Sequence, residues 1–314
     1  MSQGAAARVF KGLRQCSPGV QPLPTGRPGD PLDPGTAVGG RNNGQMPSRR
    51  LFVAAALATT AFARGARAQK PAERGGPVRL GVDRALAESG LARSLQRAFG
   101  ADTGIAVLLV PGPALVVLEA LRNGEVDAAL VNAPAAEDAL EKQGLVHDRR
   151  PIAAGEFILV GPAPAKVRGR LPPPVHSGVE VLERLRAQVE ADPAGFVFLS
   201  ANDGSGVHVA EQALWRAARI EPVAPWYLAA DAGASFTAQV RSRGAYALVE
   251  RGAWTAVGGA PLAVIAEGDA LLAESVHAMR SFRVSHPAGK IFIAWIAGGR
   301  GRAVVARHAG YQAR

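Results

Sequence analysis

Residues 78–144 read VRLGVDRALAESGLARSLQRAFGADTGIAVLLVPGPALVVLEALRNGEVDAALVNAPAAEDALEKQG, and this stretch decides the fold class. Val78-Arg79-Leu80-Gly81-Val82 predicts a strand. Ser89 to Phe99 follows with Leu91, Leu95 and Phe99 at i, i+4 and i+8, the apolar stripe of an amphipathic helix. Ile105 to Val110 is a second strand and Pro113 to Asn123 a second helix, stopped by Gly124. Val126 to Val131 is a third strand, and Ala135 to Gln143 a helix stopped by Gly144. Strands alternating with helices imply an α/β protein with a parallel sheet. Loops at the strand C-termini are where such a sheet holds a ligand.

Beyond this series, Phe157-Ile158-Leu159-Val160 leads into the Pro-rich stretch 162–174, the expected passage to a second lobe. There Gly178 to Glu190 reads as a helix, Phe196 to Leu199 as a strand, and Ser205 to Ala218 as a helix. Ala245 to Val249 is a strand with a short helix after it, and Leu262 to Ala266 a return strand. Gly289–Ile296 and Gly301–His308 are amphipathic and expected to close the chain on the first lobe. The expected division is lobe 1 over 69–159 and 263–314 and lobe 2 over 160–262, each a mixed, mostly parallel sheet flanked by helices.

Upstream, residues 47–68 read PSRRLFVAAALATTAFARGARA. Arg49 and Arg50 precede an apolar stretch from Leu51 to Ala63, and Ala66-Arg67-Ala68 offers small residues for cleavage. That is the layout of a secretory signal, expected over 46–68 with cleavage near Ala68 and a periplasmic destination. Ser48-Arg49-Arg50-Leu51-Phe52-Val53 also resembles the twin-arginine export signature. Residues 1–45 hold nine Gly and six Pro and cannot bury a core; they are expected to be disordered or a mis-called extension, with translation starting at Met46.

The formal charge is +10, but residues 1–68 hold Lys11 and eight arginines against Asp30 and Asp33, a surplus of seven. A mature chain near +3 with no basic stripe is not expected to bind nucleic acid. Cys16 is the only cysteine and the six histidines lack ligand spacing, so no disulfide scaffold and no metal are expected. Of the mature chain, 69–314, no direct insertion into the membrane is expected.

Ser200-Ala201-Asn202-Asp203-Gly204-Ser205-Gly206-Val207-His208 joins a strand to a helix. Gly204 and Gly206 allow close approach of the backbone, and the helix start has free N–H groups with partial positive charge. The segment is either a pocket for a small anion or an ordinary N-cap on Asp203 or Ser205. Ser205 and His208 also lie at i, i+3, but residues so spaced share a face rather than meeting head-on. No third orienting group accompanies them, so no catalytic residue is expected.

Several blocks occur in order along 78–314. Gly124-Glu125-Val126-Asp127-Ala128-Ala129-Leu130-Val131 matches a "GxxDVLLVH" strand, and His147 to Pro151 with Glu156 to Pro162 matches "DRRPVMYNDFVIVGP". Ser200 to His208 matches "SRGDDSGTH", followed by Glu211, Leu214 and Trp215. Trp226-Tyr227 and Gly244 to Gly252 match "WY" and "GAYTLTDRGT". Through these blocks the chain resembles periplasmic solute-binding proteins, specifically the tungstate-binding component of ABC transporters. The resemblance implies two lobes joined by two crossover strands that close on a ligand, with an ABC permease and its ATPase as partners. It implies a monomer with no cofactor and no enzymatic step.

The departures fall at the ligand. Where the family carries a Thr/Thr/Thr/Ser cluster, this chain has Val82-Asp83-Arg84-Ala85. Where the family has its oxyanion-pairing arginine, Ala201 stands, and Val207 replaces a threonine. The candidate ligand residues are therefore Asp83, Arg84, Ala85, Asn202, Asp203, Ser205, Gly206 and Arg251. Either Arg84 supplies the missing charge and keeps an oxyanion site of tungstate or molybdate type, or the ligand has changed. A non-transport sensory or scaffold protein that kept the fold is the alternative function.

Overall fold

A computed structural model describes residues 76–168, 170–192 and 195–314; the readings made of 1–45 and 46–68 lie outside these residues. Strand β1 (Val78–Asp83) pairs in parallel with β2 (Val107–Gly112) on one side and β3 (Ala128–Val131) on the other. Being central, β1 and β3 are buried on both faces, which is why both read as near-continuous apolar runs. Between them run a short helix α1 (Arg84–Glu88), then α2 (Leu91–Thr103) and α3 (Ala114–Asn123). The α1 turn was not predicted, because only the Asp83 cap marks it: its carboxylate accepts the Ala85 N–H at 2.9 Å. Helix α2 begins later than Ser89 because Gly90 takes a left-handed conformation, φ 84°, which ends α1 and turns the chain.

After α4 (Pro134–Lys142) comes β4 (Val146–Gly161), much longer than the Phe157–Val160 run that marks it in sequence. Its first part pairs antiparallel with β9 (Ala273–Ser281), which continues antiparallel to β3, and β10 (Gln312–Ala313) adds at the other edge. Its last residues pair instead with β7 (Ala247–Glu250) and β8 (Ala263–Ala266). The sheet is thus mixed, with the parallel strands β3-β1-β2 at one end and antiparallel strands filling the rest. Strand β9 escaped prediction because Glu274, Ser275, His277 and Arg280 break its apolar run; Glu274 is nonetheless 2% exposed.

The remaining elements are α5 (Gly178–Ala191), β5 (Phe198–Ser200), α6 (Gly206–Ala218), β6 (Tyr227–Ala229), α7 (Phe236–Arg243), α8 (Arg251–Val257), α9 (Gly289–Ile296) and α10 (Gly299–Val305). Strands β5 and β6 pair in parallel. Strand β6 and helix α7 were not predicted: β6 has only three residues, and α7 is polar on most faces.

Apolar side chains gather in separate clusters. One joins β1, α2, α9 and α10 through Leu80, Leu95, Phe99, Phe292 and Ile296, so the two C-terminal helices close on the β1 side. Another joins α5, α6 and the β5–β8 strands through Leu182, Phe198, Leu214, Trp215 and Trp226. Ala85 of α1 belongs to this second cluster, one of the points where the β1 side touches the β5 side. Arg149 is consumed structurally, by Glu137, Asp138 and Glu141. Among the described residues no helix is long and apolar enough to cross a membrane.

Candidate functional site

The C-terminal end of β1 delivers Asp83 and the first turn of α1, while β5 delivers the loop 201–205 and the start of α6. These two loops, more than a hundred residues apart in sequence, meet. Leu115 N–H, in the first turn of α3, donates to Gly204 C=O at 3.0 Å across the junction. Arg84 faces Asp203, with Nη1 3.9 Å from Oδ2. Glu88, one turn on from Arg84, accepts the Ser235 hydroxyl at 3.2 Å from the α7 side.

Two adjoining cavities open here. The narrow one, about 20 Å³, is lined by Arg84, Ala85, Glu88, Asp203, Ser205 and Thr237 among others. That is room for about one water. The wider one, about 120 Å³, is lined by Arg84, Asn202, Asp203, Asp231, Phe236 and Gln239 among others. Of the eight candidate residues, Arg84 and Asp203 line both cavities, Ala85 and Ser205 the narrow one and Asn202 the wider one. Asp83 and Gly206 lie behind it, bonded to each other: Gly206 N–H donates to Asp83 Oδ2 at 3.1 Å.

Arg251 is elsewhere and borders neither cavity. Its guanidinium is held by Glu156, 2.5 Å away, and by Glu267, where β4 changes partners. Two carboxylates already satisfy it, which explains its position without a ligand. The Ser205 hydroxyl accepts the His208 backbone N–H at 3.3 Å as the N-cap of α6, and His208 Nδ1 accepts the Gly204 N–H at 3.0 Å. The His208 ring is thus turned to the loop and not to the serine. Burial holds the His208 pKa below its ordinary value, against the pull of Asp203.

The charges lining the space are mixed. Among the described residues Arg84 is the one cation common to both cavities, opposed by Asp203 and, in the narrow cavity, by Glu88. Burial raises the Glu88 pKa, while hydrogen bonds from Ser235 and Thr237 lower it. Behind them Asp83 is wholly buried, and burial pushes its carboxyl up to about 6 against the hydrogen bonds from Gly206 and Ala85. Burial also raises Glu250, the N-cap of α8, to about 7. Glu274 rises well above the ordinary range through burial and the nearby Glu250.

Sequence reasoning missed Glu88, Thr237 and Phe236. Glu88 could have been found one turn after Arg84, but Phe236 and Thr237 follow an unremarked Ser235 cap on a weakly amphipathic helix. Among the described residues no group of three or more His, Cys, Asp or Glu is placed to hold a metal ion.

Residues 71–289 match the family model described as a PBP superfamily domain. The chain belongs to that family. The PBP assignment agrees with the mixed α/β sheet described above. Over 172 residues the chain is 34% identical to a Haloferax volcanii protein named as an ABC transporter anion-binding protein, covering 54% of this chain and 47% of that one. Over 182 residues it is 31% identical to the tungstate-binding protein TupA of Peptoclostridium acidaminophilum, covering 57% of this chain and 60% of the relative. This PBP chain thus spans only about half the length of the curated relatives it matches. The solved structure of the tungstate-binding protein TupA from Desulfovibrio alaskensis G20 superposes with TM-score 0.58 at 26% identity, covering 76% of this chain and 99% of that one. These relatives are named as binding proteins and not as enzymes.

Proposed function

We propose that this PBP chain is the exported, extracytoplasmic solute-binding protein of an ABC transporter. Lobes 69–159 with 263–314 and 160–262 close on a small solute and deliver it, as a monomer, to a permease with its ATPase. The step is capture and closure, with no bond made or broken. The observation that carries this reading is the meeting of the β1 and β5 loops around two adjoining cavities that share Arg84 and Asp203, with Ala85, Asn202 and Ser205 on one or the other.

The names of the relatives speak for an anion. The wall of this cleft favours a changed solute over tungstate. A tetrahedral dianion taken out of water needs surplus positive charge or a ring of donors. Here Arg84 is matched by Asp203, and Glu88 adds a further carboxylate. A solute bearing both charges, its acid group to Arg84 and its cationic group to Glu88 and Asp203, suits that wall better.

A thermal-shift screen of the protein against amino acids and betaines, small organic acids, and tungstate, molybdate, sulfate and phosphate tests the reading. A solute at a hundred times its Kd adds about 2.7 kcal/mol, a visible rise in Tm. No response to any class, together with a locus that encodes no permease, would favour the sensory or scaffold alternative. Sequencing the N-terminus of exported protein checks cleavage near Ala68.

A further inference from the structure

Asp83 is fully buried, and among the described residues no cation forms an ion pair with it. Its charge is met by backbone alone: Oδ1 accepts the Ala85 N–H at 2.9 Å and Oδ2 accepts the Gly206 N–H at 3.1 Å. Gly206 opens α6, a helix of 13 residues. The first N–H groups of such a helix have no partner within it and carry partial positive charge, so they attract an anion. In this protein the anion comes from the chain itself, reaching over 123 residues of sequence.

A second side chain shows that the place is occupied. Asn132, 3% exposed, lies so close to Gly206 that a Cβ there would overlap its amide. Its Nδ2 donates to Glu274 Oε1 at 2.6 Å, whereas its Oδ1 has no hydrogen-bond partner among the described residues. That oxygen presents negative partial charge to the space beside the helix start. With the Asp83 carboxylate in place and the Asn132 oxygen beside it, a free oxyanion has neither room nor a favourable potential there.

We infer that Asp83 is a tethered anion, filling the seat at the start of α6 and setting the specificity of the cleft against free oxyanions. For its consequence this rests on the solute-capture reading above. The seat itself does not depend on that reading.

The test uses Asp83→Ser, which keeps a cap for α1 but removes the carboxylate. Binding of formate, the group removed, and of tungstate is measured by calorimetry for variant and parent, with chloride at equal ionic strength as the baseline. The variant is expected to bind both anions at least tenfold more tightly than the parent. A parent that binds tungstate as tightly as the variant overturns the inference, as does a variant that responds to neither anion beyond chloride. If Asp83→Ser fails to fold, Asp83→Ala carries the same expectations, and tight tungstate binding by the parent overturns the inference without either variant. Formate reports on the seat alone, so its outcome and that of the solute screen fail separately.

Discussion

The Asp83 seat and the Arg251 cluster both tie distant segments together with charge, by opposite physical means. At the seat one carboxylate leaves water completely and is held by neutral N–H groups. At the cluster a guanidinium lies between Glu156 and Glu267, and all three side chains remain 27–31% exposed. The seat is deep, so desolvation dominates and drives the carboxyl pKa upward. The cluster is shallow, so its attractions are screened by solvent and salt. Counting ion pairs would rank the cluster first, yet burial makes the seat the site where a small change has large consequences.

Lowering the pH should sharpen the contrast most. A carboxyl whose pKa is raised in the folded state binds its proton more tightly there than in the unfolded chain. Its stabilising contribution is therefore complete below the ordinary carboxylate range and lost as the pH rises through the folded value. For Asp83 that loss runs from the ordinary carboxylate range up to about 6, and for Glu211 and Glu250 up to about 7. A tenfold difference in proton affinity between folded and unfolded chain is worth about 1.4 kcal/mol. Asp148, held low chiefly by its Arg280 hydrogen bond, works in the other direction but only below the ordinary carboxylate range. Melting followed by circular dichroism should thus give a Tm several degrees higher at pH 5 than at pH 8. An equal or lower Tm at pH 5 would contradict the burial argument.

Gly206→Ala should break the seat directly. The added methyl must displace the buried Asn132 amide, an overpacking that costs about 1–3 kcal/mol. Tm should fall by about 2–4 °C for each of those kcal/mol. A neutral substitution would mean that Asn132 and the start of α6 do not approach as described.

Arg251→Ala should have the smallest effect, about 1 kcal/mol or less in urea unfolding, and it should shrink further in high salt. Loss of solute binding in this variant at unchanged stability would instead make Arg251 a ligand residue.

The strand–helix alternation from Val78 to Gly144 was legible because each element carries its own period of apolar side chains and its own stop, as at Gly124 and Gly144. The extra length of β4 and all of β9 were not. Their polar residues are tolerated by pairing and burial that only the folded sheet provides, as at Glu274 beside Asn132. The cleft was legible in part, since Arg84, Asp203 and Ser205 flank strand ends, whereas Glu88 and Thr237 come together only by packing of α1 against the α7 side.

By itself, then, the amino-acid order determined the α/β class, the helix stops at Gly124 and Gly144, and the two loops that carry the polar residues. Those features are set by interactions within a few residues, which a linear reading can follow. Only the tertiary structure decided that Asp83 reaches Gly206 and that Arg251 turns away to Glu156 and Glu267. In sequence Asp83 looks like any helix cap. Its second bond needs a partner from far along the chain, the Gly206 N–H, which the fold brings within 3.1 Å.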